Sequence, residues 1–243
     1  MKRVFLGTLL AGLLATTAAY ADSASVAVAA NFTKVAEELA ALFKAETGHD
    51  LVLSFGATGQ LYTQITQGAP FEILLAADDE RPTKVVADGF GVDGTVFTYA
   101  IGTLALYSTS IDVTDGEAAL KGPFDKLAIA DPEAAPYGRA AVEALTALGI
   151  YDAVQPKIVT GENISQTLQF VVSGNAELGF VAASQVVGKQ GVWIVQAELY
   201  EPIRQDAVLL KTGEANPAAT AFIDFLKSDK AVAVIKAAGY TVE

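Results

Sequence analysis

The chain has no cysteine, a single histidine, and 16 lysines and arginines against 28 aspartates and glutamates, for a net charge of −12. Without cysteine there is no disulfide, no thiolate metal ligand, no thiol nucleophile and no thiol to carry a lipid anchor. The scarcity of cations removes the basic footprint that grips a phosphate backbone, so no nucleic acid is expected as a partner. His49, between Gly48 and Asp50, falls in a predicted helix-to-strand turn and reads as a solvated turn residue; with no second histidine, no zinc site is expected. Nucleophile-elbow, Ser-x-x-Lys, His-Glu-x-x-His and phosphate-loop patterns are also missing, so the chain is not expected to be an enzyme.

No apolar run reaches the ~20 residues that a bilayer span requires. The longest, at 4–15, follows Lys2-Arg3 and precedes Ala19-Tyr20-Ala21, the pattern of a secretory signal peptide. Residues 1–21 are therefore expected to be a leader, and the rest an exported protein that is neither inserted in the membrane nor lipid-anchored. What is present in quantity is apolar: 52% of the residues, with 18% charged and a mean hydropathy of +0.38, describe a core-forming chain.

Hydrophobic periodicity predicts strands at 25–30, 51–55 and 72–77, with helices at 32–46, 58–67 and 79–88, each closed by a glycine or turn. The alternation continues through strands near 96–107, strand 126–130, helix 139–148, strand 157–160, helix 165–173, and strands at 178–181, 192–195 and 207–210. Two helices end the chain, the first with Asn216 as N-cap and Pro217 at its first position. Such alternation predicts an α/β protein with parallel-rich sheets flanked by helices. The stretch 108–123 reads as a surface loop, and no repeat or linker stands out.

In an open parallel sheet ligands collect at the carboxyl ends of the strands. There the sequence places Ala30-Asn31-Phe32, Gly56-Ala57-Thr58-Gly59, Ala135-Pro136-Tyr137-Gly138 and Gly161-Glu162-Asn163-Ile164-Ser165, each before a helix and, Glu162 apart, uncharged. Helix N-termini carry unpaired N–H groups and the positive end of the dipole, so several of them converging would cradle a small oxyanion without any lysine or arginine. Taken singly, Asn31, Thr58 and Asn163 read equally as N-caps. Asp78-Asp79-Glu80 reads as a cap followed by first-turn acids rather than a cation site. The Asn-x-Ser/Thr matches at Asn31 and Asn163 are too short to carry meaning.

Ala29-Ala30-Asn31-Phe32, Ser54-Phe55-Gly56-Ala57-Thr58-Gly59, Gly68-Ala69-Pro70-Phe71-Glu72, Ala76-Ala77-Asp78, Ala130-Asp131-Pro132, Gly161-Glu162-Asn163-Ile164 and Gly179-Phe180-Val181, in this order, resemble the signatures of periplasmic molybdate-binding proteins. The resemblance implies a two-lobed type II periplasmic binding fold with the ligand between the lobes: lobe one at 22–100 and 205–243, lobe two at 101–204. It implies capture of molybdate, and with it tungstate, for the permease of an ABC importer, by a monomer that needs no cofactor and meets molybdenum only as the oxyanion. Asn31 and Thr58, with the Ala30 and Ala57 peptides beside them, would donate from lobe one; Tyr137 and the backbone N–H of Ile164 would close from lobe two. Some members carry a tyrosine where this chain has Ala182, and Tyr137 is expected to take over that donor. Sulfate, phosphate or a small organic anion is the alternative cargo, because cleft size is not written in the sequence.

Overall fold

The computed structural model describes residues 22–243, so the expected leader lies outside the described residues. β1 (Ser23–Ala29) is buried at almost every position because strands flank it on both sides: it pairs in parallel with β2 (Asp50–Gly56) and with β3 (Ile73–Leu75). A 3-10 turn, Ala30–Phe32, leads from β1 into α1 (Thr33–Thr47), whose Val35, Ala36, Leu39 and Phe43 form the buried stripe. The helix stops where Gly48 takes the left-handed conformation, φ 79°, which a side chain would resist. α2 (Thr58–Thr66) joins β2 to β3, and α3 (Glu80–Ala87) follows β3.

The strands predicted near 96–107 are β4 (Phe97–Gly102), which belongs to the first sheet, and β5 (Leu104–Tyr107), which belongs to a second. The stretch read as a loop contains α4 (Gly116–Lys121), capped by Asp115, whose side chain accepts from the Ala118 N–H at 3.0 Å. Then come β6 (Leu127–Ala130), α5 (Pro136–Ala147), the short α6 (Tyr151–Val154), β7 (Ile158–Gly161), α7 (Ile164–Val172), β8 (Leu178–Ala182) and β9 (Val192–Ile194). β10 (Ile203–Leu209) returns to the first sheet, and α8 (Pro217–Phe225) and α9 (Asp229–Ala237) pack on it. Asn216 caps α8 as expected, accepting from the Ala218 N–H.

The strand orders are β2-β1-β3-β10-β4 and β7-β6-β8-β5-β9. Both sheets therefore have the same plan: three parallel strands ordered second, first, third, followed by one strand that runs antiparallel to its neighbours on both sides. The sheets are mixed rather than purely parallel because β5 and β10, which carry the chain between the lobes, must enter against the grain. The plan repeats without a repeated sequence, since each sheet asks only for apolar strands and amphipathic helices.

The first lobe is centred on Phe43, fully buried, with Phe222 at 5.2 Å edge-on and Phe225 at 5.5 Å between ring centres. Phe43→Ala would leave a cavity that these rings cannot fill; a loss of about 3–5 kcal/mol in unfolding free energy is expected, measurable by urea denaturation of the ligand-free protein.

Candidate functional site

β1, β2, β6 and β7 lead into the four junctions, which meet between the lobes. The cavity they enclose is lined by Ala29, Ala30, Asn31, Gly56, Ala57, Thr58 and Ala77 from the first lobe and by Ala135, Pro136, Tyr137, Asn163 and Ile164 from the second. All six candidate residues are among them, and no acid or base is. The cavity is small and closely walled by these residues. A larger cavity of about 550 Å³ lies on the flank of the interlobe seam, lined among others by Lys34, Glu37, Glu38 and Lys189. Its charges are mixed, two lysines against two glutamates.

Ala30 and Asn31 form the 3-10 turn after β1, Thr58 is the first residue of α2, Tyr137 the second of α5 and Ile164 the first of α7. A first-turn N–H has no intrahelical acceptor. Among the described residues no other group takes the N–H of Asn31, Thr58, Tyr137 or Ile164. Four helical starts thus present free backbone donors around one uncharged cavity, and each adds the positive end of its peptide dipoles.

The side chains divide into two roles. Asn163 is a cap: its Oδ1 accepts from the N–H of Ser165 and of Gln166, both at 3.0 Å, and so orders the start of α7. Thr58 is not; its hydroxyl accepts from the Ala77 N–H at 3.0 Å, which fixes the oxygen and leaves its proton to donate. Asn31 is not a cap either. Its Nδ2 lies 2.8 Å from Gln205 Oε1 and 3.0 Å from the Tyr240 hydroxyl, so the side chain is turned into a buried network behind the cavity. The Tyr137 hydroxyl joins the same network, accepting from Gln205 Nε2 at 3.2 Å. The Tyr137 side chain is thus engaged behind the cavity, and its backbone N–H is a donor without a partner. Ala182 ends β8, and its N–H donates to Gln185 Oε1 at 3.2 Å.

Burial pushes the phenols of Tyr99 and Tyr137 well above their ordinary range and that of Tyr240 up to about 12, so all three stay neutral. The lobes are in contact across the cavity: Gly59 N–H donates to Ala134 O at 2.9 Å, and Ser165 Oγ to Ala30 O at 3.0 Å. At the rim Arg81 Nη2 donates to Glu133 O at 2.8 Å, while Asp78 holds the same guanidinium through Nη1 at 2.5 Å. Asp78 also accepts from the Arg81 N–H at 2.9 Å, which is the capping role read from the sequence.

Gln205, Tyr240, Ser184 and Arg81 were not among the candidates. The signal for Gln205 was the polar run Arg204-Gln205-Asp206, which made the strand appear to begin at Ala207. No local pattern marks the other three.

The chain matches the family described as bacterial extracellular solute-binding protein over residues 24–241. It is 52% identical over 228 residues to the molybdate-binding protein ModA of Rhodobacter capsulatus, covering 93% of this chain and 90% of that one. The chain belongs to the ModA family of molybdate-binding proteins. The solved periplasmic molybdate-binding protein of Azotobacter vinelandii superimposes with a TM-score of 0.88 at 39% identity, over 90% of this chain and 99% of that one. The sulfate-binding protein SubI of Mycobacterium tuberculosis, at a TM-score of 0.76 and 14% identity over 90% of this chain and 86% of that one, shares the fold alone. The fold is thus the two-lobed type II form, and the relatives with the ModA name are binding proteins.

Two outcomes follow from this geometry. Asn163→Ala is expected to cost about 1 kcal/mol of stability by removing the α7 cap, read by urea denaturation without ligand. The buried phenols favour the protonated form in the fold, Tyr240 at about 12 against an ordinary 10.0. Their contribution is therefore fully present below pH 10 and is lost as pH rises toward about 12, so unfolding titrations should show stability declining in that window.

Proposed function

We propose that this chain captures molybdate, and tungstate with it, in the cavity between the lobes and presents it to the permease of an ABC importer. The observation that carries the reading is the uncharged cavity ringed by free first-turn N–H groups. Asn31, Thr58 and the Ala30 and Ala57 peptides would hold the oxyanion from the first lobe, and Tyr137 and Ile164 from the second. Tyr137 acts here through its backbone, and the hydroxyl absent at Ala182 is not replaced. A fully deprotonated oxyanion accepts from every donor in the ring and needs no carboxylate to receive a proton, in keeping with a lining that has none.

The rest of the reading goes with this site. Residues 22–100 and 205–243 form lobe one and 101–204 lobe two; the fall of β4 and β5 into different sheets on either side of Thr103 supports a crossing within a few residues of the first boundary. The protein acts in the periplasm after loss of the leader, as a monomer without a cofactor and without a catalytic residue, and without a lipid anchor. Among the described residues no helix is long and apolar enough to cross a membrane.

Thermal unfolding with molybdate, tungstate, sulfate or phosphate at equal ionic strength tests the cargo. Ligand at a hundred times its Kd adds ~2.7 kcal/mol, so a rise of about 5–10 °C in Tm is expected with molybdate and tungstate and none with sulfate or phosphate. An equal rise with sulfate would make the cavity a general oxyanion site, and no rise with any of the four would end the oxyanion reading. Thr58→Ala should weaken molybdate about 10- to 100-fold by calorimetry, the range of one hydrogen bond to a charged group; unchanged affinity would remove Thr58 from the site.

A further inference from the structure

We infer that Gln205 is a positioning residue that joins the ligand-holding loops of the two lobes; this rests on the oxyanion reading of the cavity. Gln205 is fully buried on β10, one of the two strands that bridge the lobes. Its Oε1 receives the Asn31 amide at 2.8 Å and its Nε2 donates to the Tyr137 hydroxyl at 3.2 Å, so one side chain grips the first turn of a loop in each lobe. The register of β10 against β4 shifts between Gln205 and Asp206, the irregularity by which a strand re-aims a side chain. Both of these successive residues are consequently buried.

Tyr240 closes the network from the other side. Its hydroxyl donates to Asn31 O at 3.0 Å and receives Ser184 Oγ at 2.9 Å, a second link between the lobes. Every buried side-chain polar atom among the described residues has a partner, so removing one member orphans another. Gly102, next to the crossing, is where the network demands space. A Cβ there would lie 2.1 Å from the Tyr137 hydroxyl and 2.6 Å from Gln205 Nε2. The backbone donors of Asn31 and Tyr137 can meet one oxyanion only while their side chains are held at this fixed separation, and Gln205 sets it.

The test compares wild type, Gln205→Leu, Tyr137→Phe and the double variant by titration calorimetry with sodium molybdate and by amide hydrogen exchange without ligand. Gln205→Leu is expected to weaken molybdate at least tenfold and to speed exchange at the starts of both loops. The double variant should bind no worse than Gln205→Leu, because the Tyr137 hydroxyl acts through Gln205. Gly102→Ala, which removes no polar group, should weaken binding in the same direction and serves if Gln205→Leu does not fold. A folded Gln205→Leu or Gly102→Ala within twofold of wild type, or additive losses in the double variant, would overturn the inference. If wild type binds no molybdate the cargo reading falls by itself, and the exchange data still decide the coupling: unchanged protection in either loop of Gln205→Leu would refute it.

Discussion

Holding an anion with neutral donors works only where water cannot compete for them. An N–H aimed at an oxyanion in bulk solvent gains little over the water it displaces, whereas in a closed, low-dielectric space the same donor is worth several times more. The rest of this molecule is arranged around that condition. Two sheets of one plan turn the carboxyl ends of their strands toward a common seam, and the helices that follow begin there with their first-turn N–H groups unspent. In the proposed oxyanion site, closing the seam would join the two half-rings and exclude water together, because the residues that would donate are also the walls.

The two bridging strands do more than tether the lobes. β10 lies between β3 and β4 in the first sheet, and β5 lies between β8 and β9 in the second, so each lobe takes its bridge into the interior of its own sheet. A motion between lobes must then bend at the short segments between the strands rather than slide the sheets. The buried phenols and amides behind the cavity sit at this place. Their hydrogen bonds span the seam at Gln205–Tyr137 and Ser184–Tyr240, so polar contacts of fixed length register the separation of the lobes alongside the apolar packing of Ala29, Ala30, Ala57 and Ala77 against the second lobe.

Much of this was legible in the sequence, for definable reasons. Alternating apolar runs and amphipathic stretches give β1, α1, β2, α2 and β3 because each is a local pattern, and small uncharged residues before helices mark the junctions at Asn31, Thr58, Tyr137 and Asn163. Asn163 and Asn216 as caps follow from chemistry within three residues. What stayed hidden is long-range. The helix α4 has too short an apolar face to rise above its Asp- and Gly-rich surroundings. Gln205 reaches a partner 174 residues away, and its polar neighbours made the strand look shorter than it is. The direction of the Tyr137 side chain was equally out of reach: proximity to the cleft suggested a hydroxyl donor, but the ring at the second position of α5 points back to the crossing, where Gly102 leaves it room.

The fold alone does not choose the cargo, since a sulfate-binding protein shares it. Sulfate and molybdate carry the same charge and shape, so neutral donors see them alike except for bond length. Discrimination must then come from how far apart the half-rings sit when the lobes close, a distance that a ring of flexible lysines would blur and a ring of backbone amides preserves. The net charge of −12 does not work against this, because ions screen its field beyond ~8 Å while the donors act at contact. It follows that selectivity in such a site belongs to whatever fixes the loops against one another, and only secondarily to the atoms that touch the ligand.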